Sequence, residues 1–259
     1  MQLSEMIDLE RYPLTDRDYV AKCQARFQSD GVVVLPGFLT ESAIQQVHDE
    51  AIEGMPQAYY CKTESNVYLL PRDPERPPEH ARNRLVSSSK GCICDDTIPA
   101  DSPLRVAYQS EIFQGFVKGV TGQASLYPYA DTLSSINIHY AHQGQELGWH
   151  FDNSAFAITL LIQAAQDGGE FQYVSRFRNA SAGDMNHAGV ERLLNGEYPV
   201  RTLEMLPGTL VLFQGRDSIH RVTPNRSDVT RILAVLAYNA KPGVGLSEHA
   251  RMSFFGRLK

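Results

Sequence analysis

Apolar and polar positions in the first part of the chain follow helical spacing, interrupted by one short apolar run. Asp16 to Gln28 has the periodicity of an amphipathic helix that Thr15 or Asp16 would cap. Val32 to Leu35 is continuously apolar and lies between turn residues, which predicts a short buried strand. Ala43 to Glu53 follows a Thr-Glu-Ser start and predicts a second helix.

The pattern changes to short strands from about residue 133. The turn residues between these strands predict an antiparallel sandwich or barrel: an all-β core with helices, decorated by the N-terminal helices. Asp184 to Asn195 predicts a helix inserted between two strands. We expect one domain over residues 1–259, with N-terminal support and a lid to about 132, the core at about 133–240, and a tail at 241–259. The predicted strands are Ser135–Tyr140, Phe156–Gln163, Glu170–Val174, Thr209–Phe213 and Ile232–Tyr238.

Two polar segments precede this core. Residues 71–82 are rich in proline and charge and predict a surface loop. The next segment contains Ser87-Ser88-Ser89, which predicts a flexible stretch flanked by Arg84 and Lys90. Such cations can bind a substrate carboxylate from a lid. A solvated loop is the alternative interpretation.

Charge limits the classes of partner. The chain has 24 Lys and Arg against 30 Asp and Glu, a net charge of −6, so no basic footprint for nucleic acid is present. No basic run suits an anionic membrane surface, and no apolar stretch approaches the roughly 20 residues of a membrane span. Small polar or acidic substrates remain possible, because the charge of a pocket can differ from the net charge. We expect a small-molecule partner and leave a homodimer open.

The four cysteines include no CxxC pair, which argues against a tetrahedral zinc site. The first eleven residues are rich in charge and do not have the pattern of a secretory signal. We therefore expect a cytoplasmic protein with reduced cysteines.

The candidate chemistry centres on a His-x-Asp pair. His150 and Asp152 are two residues apart, so on a strand both side chains point to the same face. His220 can supply a third ligand seventy residues later. Two imidazoles and one carboxylate on one face of an octahedron are typical of non-haem Fe(II) oxygenases, with positions open for a 2-oxo acid and O2. A His-x-Asp pair alone also arises by chance.

Arg231 strengthens this interpretation. It lies eleven residues after His220, at the start of an apolar strand, where a buried guanidinium needs an anionic partner. Its fork can bind the C5 carboxylate of 2-oxoglutarate through two hydrogen bonds. A structural salt bridge is the alternative role.

These motifs together resemble the core of the Fe(II)/2-oxoglutarate-dependent oxygenases. The resemblance covers about residues 133–240 and includes His150-x-Asp152, Gly168 to Glu170, the Pro207-Gly208 turn, His220 with Val222, and Arg231. It implies a double-stranded β-helix (a jelly roll, cupin-like) with Fe(II), 2-oxoglutarate and O2 as cofactors. More narrowly, the chain is similar to small standalone amino-acid hydroxylases related to the radical amino-acid halogenases.

The narrower resemblance implies which reaction to expect. Halogenases of this group have Gly or Ala where this chain has Asp152, so hydroxylation, or a related oxidation such as desaturation, is favoured over chlorination. The expected substrate is a small polar molecule, an amino acid or amino-acid-like metabolite. Tyr140 and Thr159 are further candidates to bind 2-oxoglutarate, and packing within a strand is the alternative role of each. The candidates to contact substrate are Asn153, Arg84 and Trp149.

Three other functions remain open at this stage. The first is an oxygenase acting on a protein or a carrier-tethered substrate, which would need a broad groove. The second is a cupin-like metal protein that does not use 2-oxoglutarate; Asp152 and Arg231 argue against it. The third is an interaction module without catalysis, which leaves the ligand-type residues unexplained.

Overall fold

The computed structural model describes residues 2–259. The predicted helix after Asp16 is confirmed: the Asp16 carboxylate accepts a hydrogen bond from the Tyr19 amide (2.7 Å) and so caps the helix. The helices predicted after Thr40 and within 184–195 are confirmed in the same way, and their N-caps are Thr40 and Asn186. The helices are α1 (Leu3–Met6), α2 (Arg17–Asp30), α3 (Glu41–Gly54), α4 (Pro103–Gln109), α5 (Glu111–Thr121), α6 (His187–Leu194) and α7 (Glu248–Phe255).

Strands begin earlier in the chain than residue 133. The predicted run at 32–35 is a strand, and two further strands lie between residues 59 and 93. The strands are β1 (Val32–Leu35), β2 (Tyr59–Asn66), β3 (Leu85–Ile93), β4 (Ile136–Ala141), β5 (Leu147–His150), β6 (Ala157–Gln163), β7 (Phe171–Val174), β8 (Arg201–Leu203), β9 (Leu210–Phe213), β10 (Ile219–Val222) and β11 (Arg231–Leu236).

The strands form an antiparallel sheet that curls round a central cavity. Its order is β1-β9-β6-β11-β4-β3-β5-β10-β7-β8, and β2 pairs with β3 outside this path. Strand β3 joins two halves of this sheet, the β1-to-β4 half and the β5-to-β8 half. It pairs with β4 through Cys92 opposite His139 and with β5 through Ser88 opposite Leu147. This is the predicted jelly-roll class with N-terminal helical decoration, and the prediction is confirmed.

Alternation gives the β1-to-β4 half of the sheet two different faces. On β11, Ile232, Ala234 and Leu236 are buried in the main core, which also contains helix residues such as Phe113 and Phe116. The intervening side chains of β11, β6, β9 and β4 point the other way and line the central cavity. The helices thus cover one face, and the site occupies the other.

The segment from Arg82 to Ile98 differs from the prediction. It is not a flexible loop, since residues 85–93 form β3, and residues 85–92 of this strand pair with β2. The three serines and Lys90 have weak strand propensity, and the pairing with two neighbouring strands overrides it. Residues 71–82 contain no helix or strand, as predicted.

No described helix has the length and apolar character needed to cross a membrane.

Candidate metal centre

Three ligand-type side chains meet at the junction of β5 and β10. His150 ends β5 and pairs directly with His220 of β10 in the antiparallel register. Asp152 Oδ1 lies 3.6 Å from the Nε2 atom of each histidine. Metal bonds to nitrogen and oxygen ligands are about 2.0–2.2 Å, so atoms at this spacing can share one ion. The structure therefore brings together the three predicted metal ligands.

Backbone carbonyls orient both imidazoles. His150 Nδ1 donates to the carbonyl of Gly148 (2.8 Å), and His220 Nδ1 donates to the carbonyl of Ser218 (3.0 Å). A proton held on Nδ1 leaves the Nε2 lone pair free, and Nε2 is the atom that faces Asp152. The ring orientation and the tautomer are thus those that a metal ligand needs.

The Asp152 carboxylate also fits a metal. Its Oδ2 atom is buried and has no hydrogen-bond partner among the described residues, which is costly for a carboxylate unless a cation lies beside it. Its amide donates to the Gly215 carbonyl (3.0 Å), and the side chain lies so close to Gly215 that a Cβ there would overlap it. The carboxylate is held in place and its charge is unbalanced, as expected of a metal ligand.

His150 is uncharged at neutral pH. Burial, followed by the adjacent His220, lowers the pKa of His150 to about 4. Because only a neutral imidazole can bind a metal, no proton has to leave His150 near pH 7.

The triad opens into a cavity of about 280 Å³ between the two halves of the sheet. Ligand pockets for small molecules span about 300–1,000 Å³, so this cavity suits a small ligand. One wall is apolar and comes from β7, β8, β9 and the chain between β8 and β9. Its side chains are Phe171, Leu203, Met205, Val211 and Phe213.

Two of the predicted co-substrate residues line this cavity. Arg231 begins β11, is 6% exposed, and takes part in none of the ion pairs of residues 2–259. Burial lowers the pKa of its guanidinium to about 10, which leaves it charged at neutral pH. Thr159 lies on β6 and also lines the cavity. A buried cation without an acidic partner is available for an anion.

Four other candidates lie elsewhere, which corrects their predicted contacts. Tyr140 is fully buried on the helix-facing side of β4 and donates to the Ala51 carbonyl (2.7 Å). Trp149 packs in a small core under the Arg221 guanidinium. Arg84 donates to Asn195 Oδ1 and the Leu194 carbonyl at the end of α6. Asn153 is exposed, and none of the four lines the cavity. These four side chains point away from the metal site, because each lies on the opposite face of its strand or outside the strands.

Sequence reasoning missed one wall of the cavity. Cys61, Thr63 and Ser65 of β2 and Ser88 of β3 line it, although none belongs to a recognisable motif. His139 of β4 lines it as well, with a pKa lowered well below the usual value by burial and by Lys90 and Arg231. The alternation of β4 is the one signal that separates His139 from Tyr140.

A family model described as Halogenase D matches residues 15–252 of this chain. No protein of curated function matches it.

Several solved structures share the fold. A 2-oxoglutarate/Fe(II) oxygenase family oxidoreductase from Burkholderia pseudomallei has a TM-score of 0.56 at 14% identity, covering 87% of this chain and 93% of its own. The epimerase SnoN from nogalamycin biosynthesis, in complex with Fe3+, alpha ketoglutarate and nogalamycin RO, has a TM-score of 0.59 at 14% identity, covering 90% and 93%. The carbocyclase SnoK from the same biosynthesis has 0.59 at 16% identity, covering 90% and 91%. At these identities the likeness concerns the fold.

Proposed function

The chain belongs to the Halogenase D family, and on that premise we propose that it is an Fe(II)- and 2-oxoglutarate-dependent dioxygenase that hydroxylates an unactivated C–H bond of a small polar substrate. The predicted resemblance to the Fe(II)/2-oxoglutarate oxygenases is confirmed by the shared fold. The observation that carries the proposal is the triad itself, with Asp152 Oδ1 at 3.6 Å from both imidazoles.

Asp152 supports hydroxylation rather than halogenation, despite the name of the family. A halide needs the coordination position that a carboxylate ligand otherwise fills. Here the Asp152 side chain fills that place and packs directly against Gly215. The buried, unpartnered Oδ2 is consistent with a carboxylate that stays beside a cation.

His150, Asp152 and His220 would hold the iron, and Arg231 would hold the distal carboxylate of 2-oxoglutarate. When bound, the iron and 2-oxoglutarate would supply the oxidising chemistry. 2-Oxoglutarate and O2 would give succinate and CO2, and one oxygen atom would enter the substrate C–H bond. Thr159 can donate a hydrogen bond to the co-substrate from the neighbouring strand.

The rest of the cavity positions the substrate and limits water. Apolar side chains from β7 to β9 form a wall against which a hydrocarbon segment can pack. Hydroxyl groups from β2 and β3 face it and can hold polar groups. A volume of about 280 Å³ favours a small free metabolite over a protein segment, and amino acids or amino-acid-like metabolites match this size.

The test is an anaerobic titration of the purified protein with Fe(II) and then 2-oxoglutarate. We expect the weak visible charge-transfer band of an Fe(II)–2-oxo acid chelate. Arg231→Ala should require at least tenfold more 2-oxoglutarate for the same band, because the buried guanidinium contributes a charge-assisted bidentate contact. Arg226→Ala is the matched control, since Arg226 is paired with Asp167 on the surface.

Iron binding without the band would contradict the proposal and favour a cupin-like protein that does not use 2-oxoglutarate. If the band forms, substrate-stimulated release of succinate identifies the substrate from a panel of amino acids. No stimulation by any free amino acid, with stimulation by a protein or carrier-bound form, would replace the small-molecule assignment.

A further inference from the structure

The polar wall of the cavity comes from the β2–β3 hairpin. Cys61 is directly opposite Lys90 in the register, and Thr63 is directly opposite Ser88. Residues opposite each other, and residues two apart on one strand, share a face of the sheet. The wall therefore presents three hydroxyl groups, one thiol and one ammonium to the ligand; its residues are Cys61, Thr63, Ser65, Ser88 and Lys90.

Lys90 has no acidic partner in this wall. No described carboxylate lies within 4.0 Å of its ammonium, and its polar contact is the ring of His139, with both nitrogens at 3.2 Å. The depressed pKa of His139 keeps that ring neutral, so it does not balance the charge. The Phe254 ring, 5.3 Å from Nζ, covers the ammonium from α7. A partly buried cation without a counter-charge is costly unless an anion binds to it.

The charges round the cavity favour an anion. Lys90 and Arg231 are its cations, and Asp152 is the acidic residue among its lining side chains in residues 2–259. Asp152 faces both histidines of the triad, so a bound metal would balance its charge. A ligand ammonium group would find no free carboxylate on the cavity wall, whereas a ligand carboxylate has two cations available.

The two cations occupy different places. Lys90 lies on β3, which pairs with β5, the strand of His150, whereas Arg231 lies on β11, on the far side of β4. Two separated cations can bind two carboxylates at once.

We propose that Lys90 is a second carboxylate-binding residue of this cavity, distinct from Arg231, and that its ligand is an organic acid whose hydrocarbon part lies against the apolar wall. This inference rests on the proposed function for its setting, and it narrows the substrate to an acid in the case where the substrate is the ligand of Lys90. The carboxylate belongs either to the substrate that the enzyme oxidises or to the metal-proximal end of 2-oxoglutarate. Both present the same chemistry to the ammonium.

The test measures ligand binding to the metal-free protein. Calorimetric titration with 2-oxoglutarate covers the co-substrate, and ligand-observed NMR with hexanoate, matched by uncharged hexanamide, covers a substrate acid. Lys90→Met removes the charge and keeps a similar length. Lys62→Met is the matched control, because Lys62 lies on β2 of the same hairpin, is exposed and does not line the cavity.

Two results would support the assignment and identify the source. A Kd for 2-oxoglutarate that rises at least tenfold in Lys90→Met, but not in Lys62→Met, assigns Lys90 to the co-substrate. An unchanged Kd, with hexanoate binding lost in Lys90→Met and kept in Lys62→Met, assigns it to the substrate. Hexanamide should bind at least tenfold more weakly than hexanoate to the unaltered protein in the second case.

Equal carboxylate binding in Lys90→Met and Lys62→Met would overturn the assignment, as would no carboxylate binding by the unaltered protein. The metal-free melting temperature of Lys90→Met, compared with that of Lys62→Met, checks that the variant is folded. Lys90→Gln, neutral but polar, gives the same readout if methionine disturbs the packing. The measurement uses no iron, so its outcome is independent of the chelate band. The Lys90 assignment can be overturned while the band forms, and it can be supported while the band is absent.

Discussion

At the scale of single residues, Asp152 depends on its neighbour Gly215. A Cβ at position 215 would overlap the Asp152 carboxylate, and the Gly215 backbone has no positive φ that would itself demand glycine. Glycine is therefore present because the carboxylate needs the space. The metal centre thus includes a residue that offers no ligand atom.

Gly215→Ala tests this dependence. The added methyl group should push the carboxylate away from the two imidazoles and weaken metal binding by roughly 10–100-fold, the usual effect of disturbing a residue that supports a ligand. Competition with a metal chelator measures the affinity. Gly115→Ala is the control, because nothing lies within 4 Å of a Cβ there. Unchanged affinity in Gly215→Ala would show that Asp152 is free to move.

At the scale of elements, the strands of the β1-to-β4 half present different side chains on their two faces. Leu233 and Val235 of β11 line the cavity, while Ile232, Ala234 and Leu236 pack in the main core under the helices. A shift of one residue in register would exchange the two sets of side chains. The burial of Ile232 and Ala234 in the main core thus helps hold Arg231 on the inner face.

The contact between α2 and α5 is testable with two glycines of α5. A Cβ at Gly119 would lie 2.5 Å from Val20 Cγ1 of α2, whereas one at Gly115 has open space. Gly119→Ala should lower the free energy of unfolding by about 1–3 kcal/mol through overpacking. Gly115→Ala should raise it by about 0.5–1 kcal/mol, since alanine is the better helix former. Denaturant unfolding of both variants gives the comparison, and equal effects would contradict this packing.

At the scale of the whole molecule, folding encloses neutral histidines beside cations. Burial is the main cause of the lowered pKa of both His139 and His150, and that of His150 falls to about 4. The unfolded chain binds these protons near the ordinary histidine pKa of about 6.5, and the folded protein does so only at lower pH. Stability is therefore complete above about pH 6.5 and is lost as pH falls below it.

We expect the melting temperature of the metal-free protein to decrease steadily from about pH 6.5 towards pH 4. His139→Gln should make this decrease smaller, because one of the enclosed groups no longer takes up a proton on unfolding. His249→Gln on the exposed face of α7 is the matched control. A pH profile in His139→Gln that equals that of the control would contradict the assignment of a buried neutral His139.

The sequence alone was sufficient for features that depend on local spacing. The helix after Asp16 follows from apolar periodicity and a capping residue, both of which lie within a few neighbouring residues. His150 and Asp152 are two apart, so strand geometry alone predicts that they share a face. The position of Arg231 at the start of an apolar strand likewise predicts a buried cation that needs an anion.

The tertiary structure decided which distant side chains complete the cavity. The serines beside Lys90 look like a flexible loop, and only pairing with β2 and β4 makes that segment a strand. Tyr140 and His139 are adjacent, yet one faces the helices and the other the cavity, because the packing of α3 selects the face. Long-range strand pairing depends on partners tens of residues away, so no local sequence pattern predicts it.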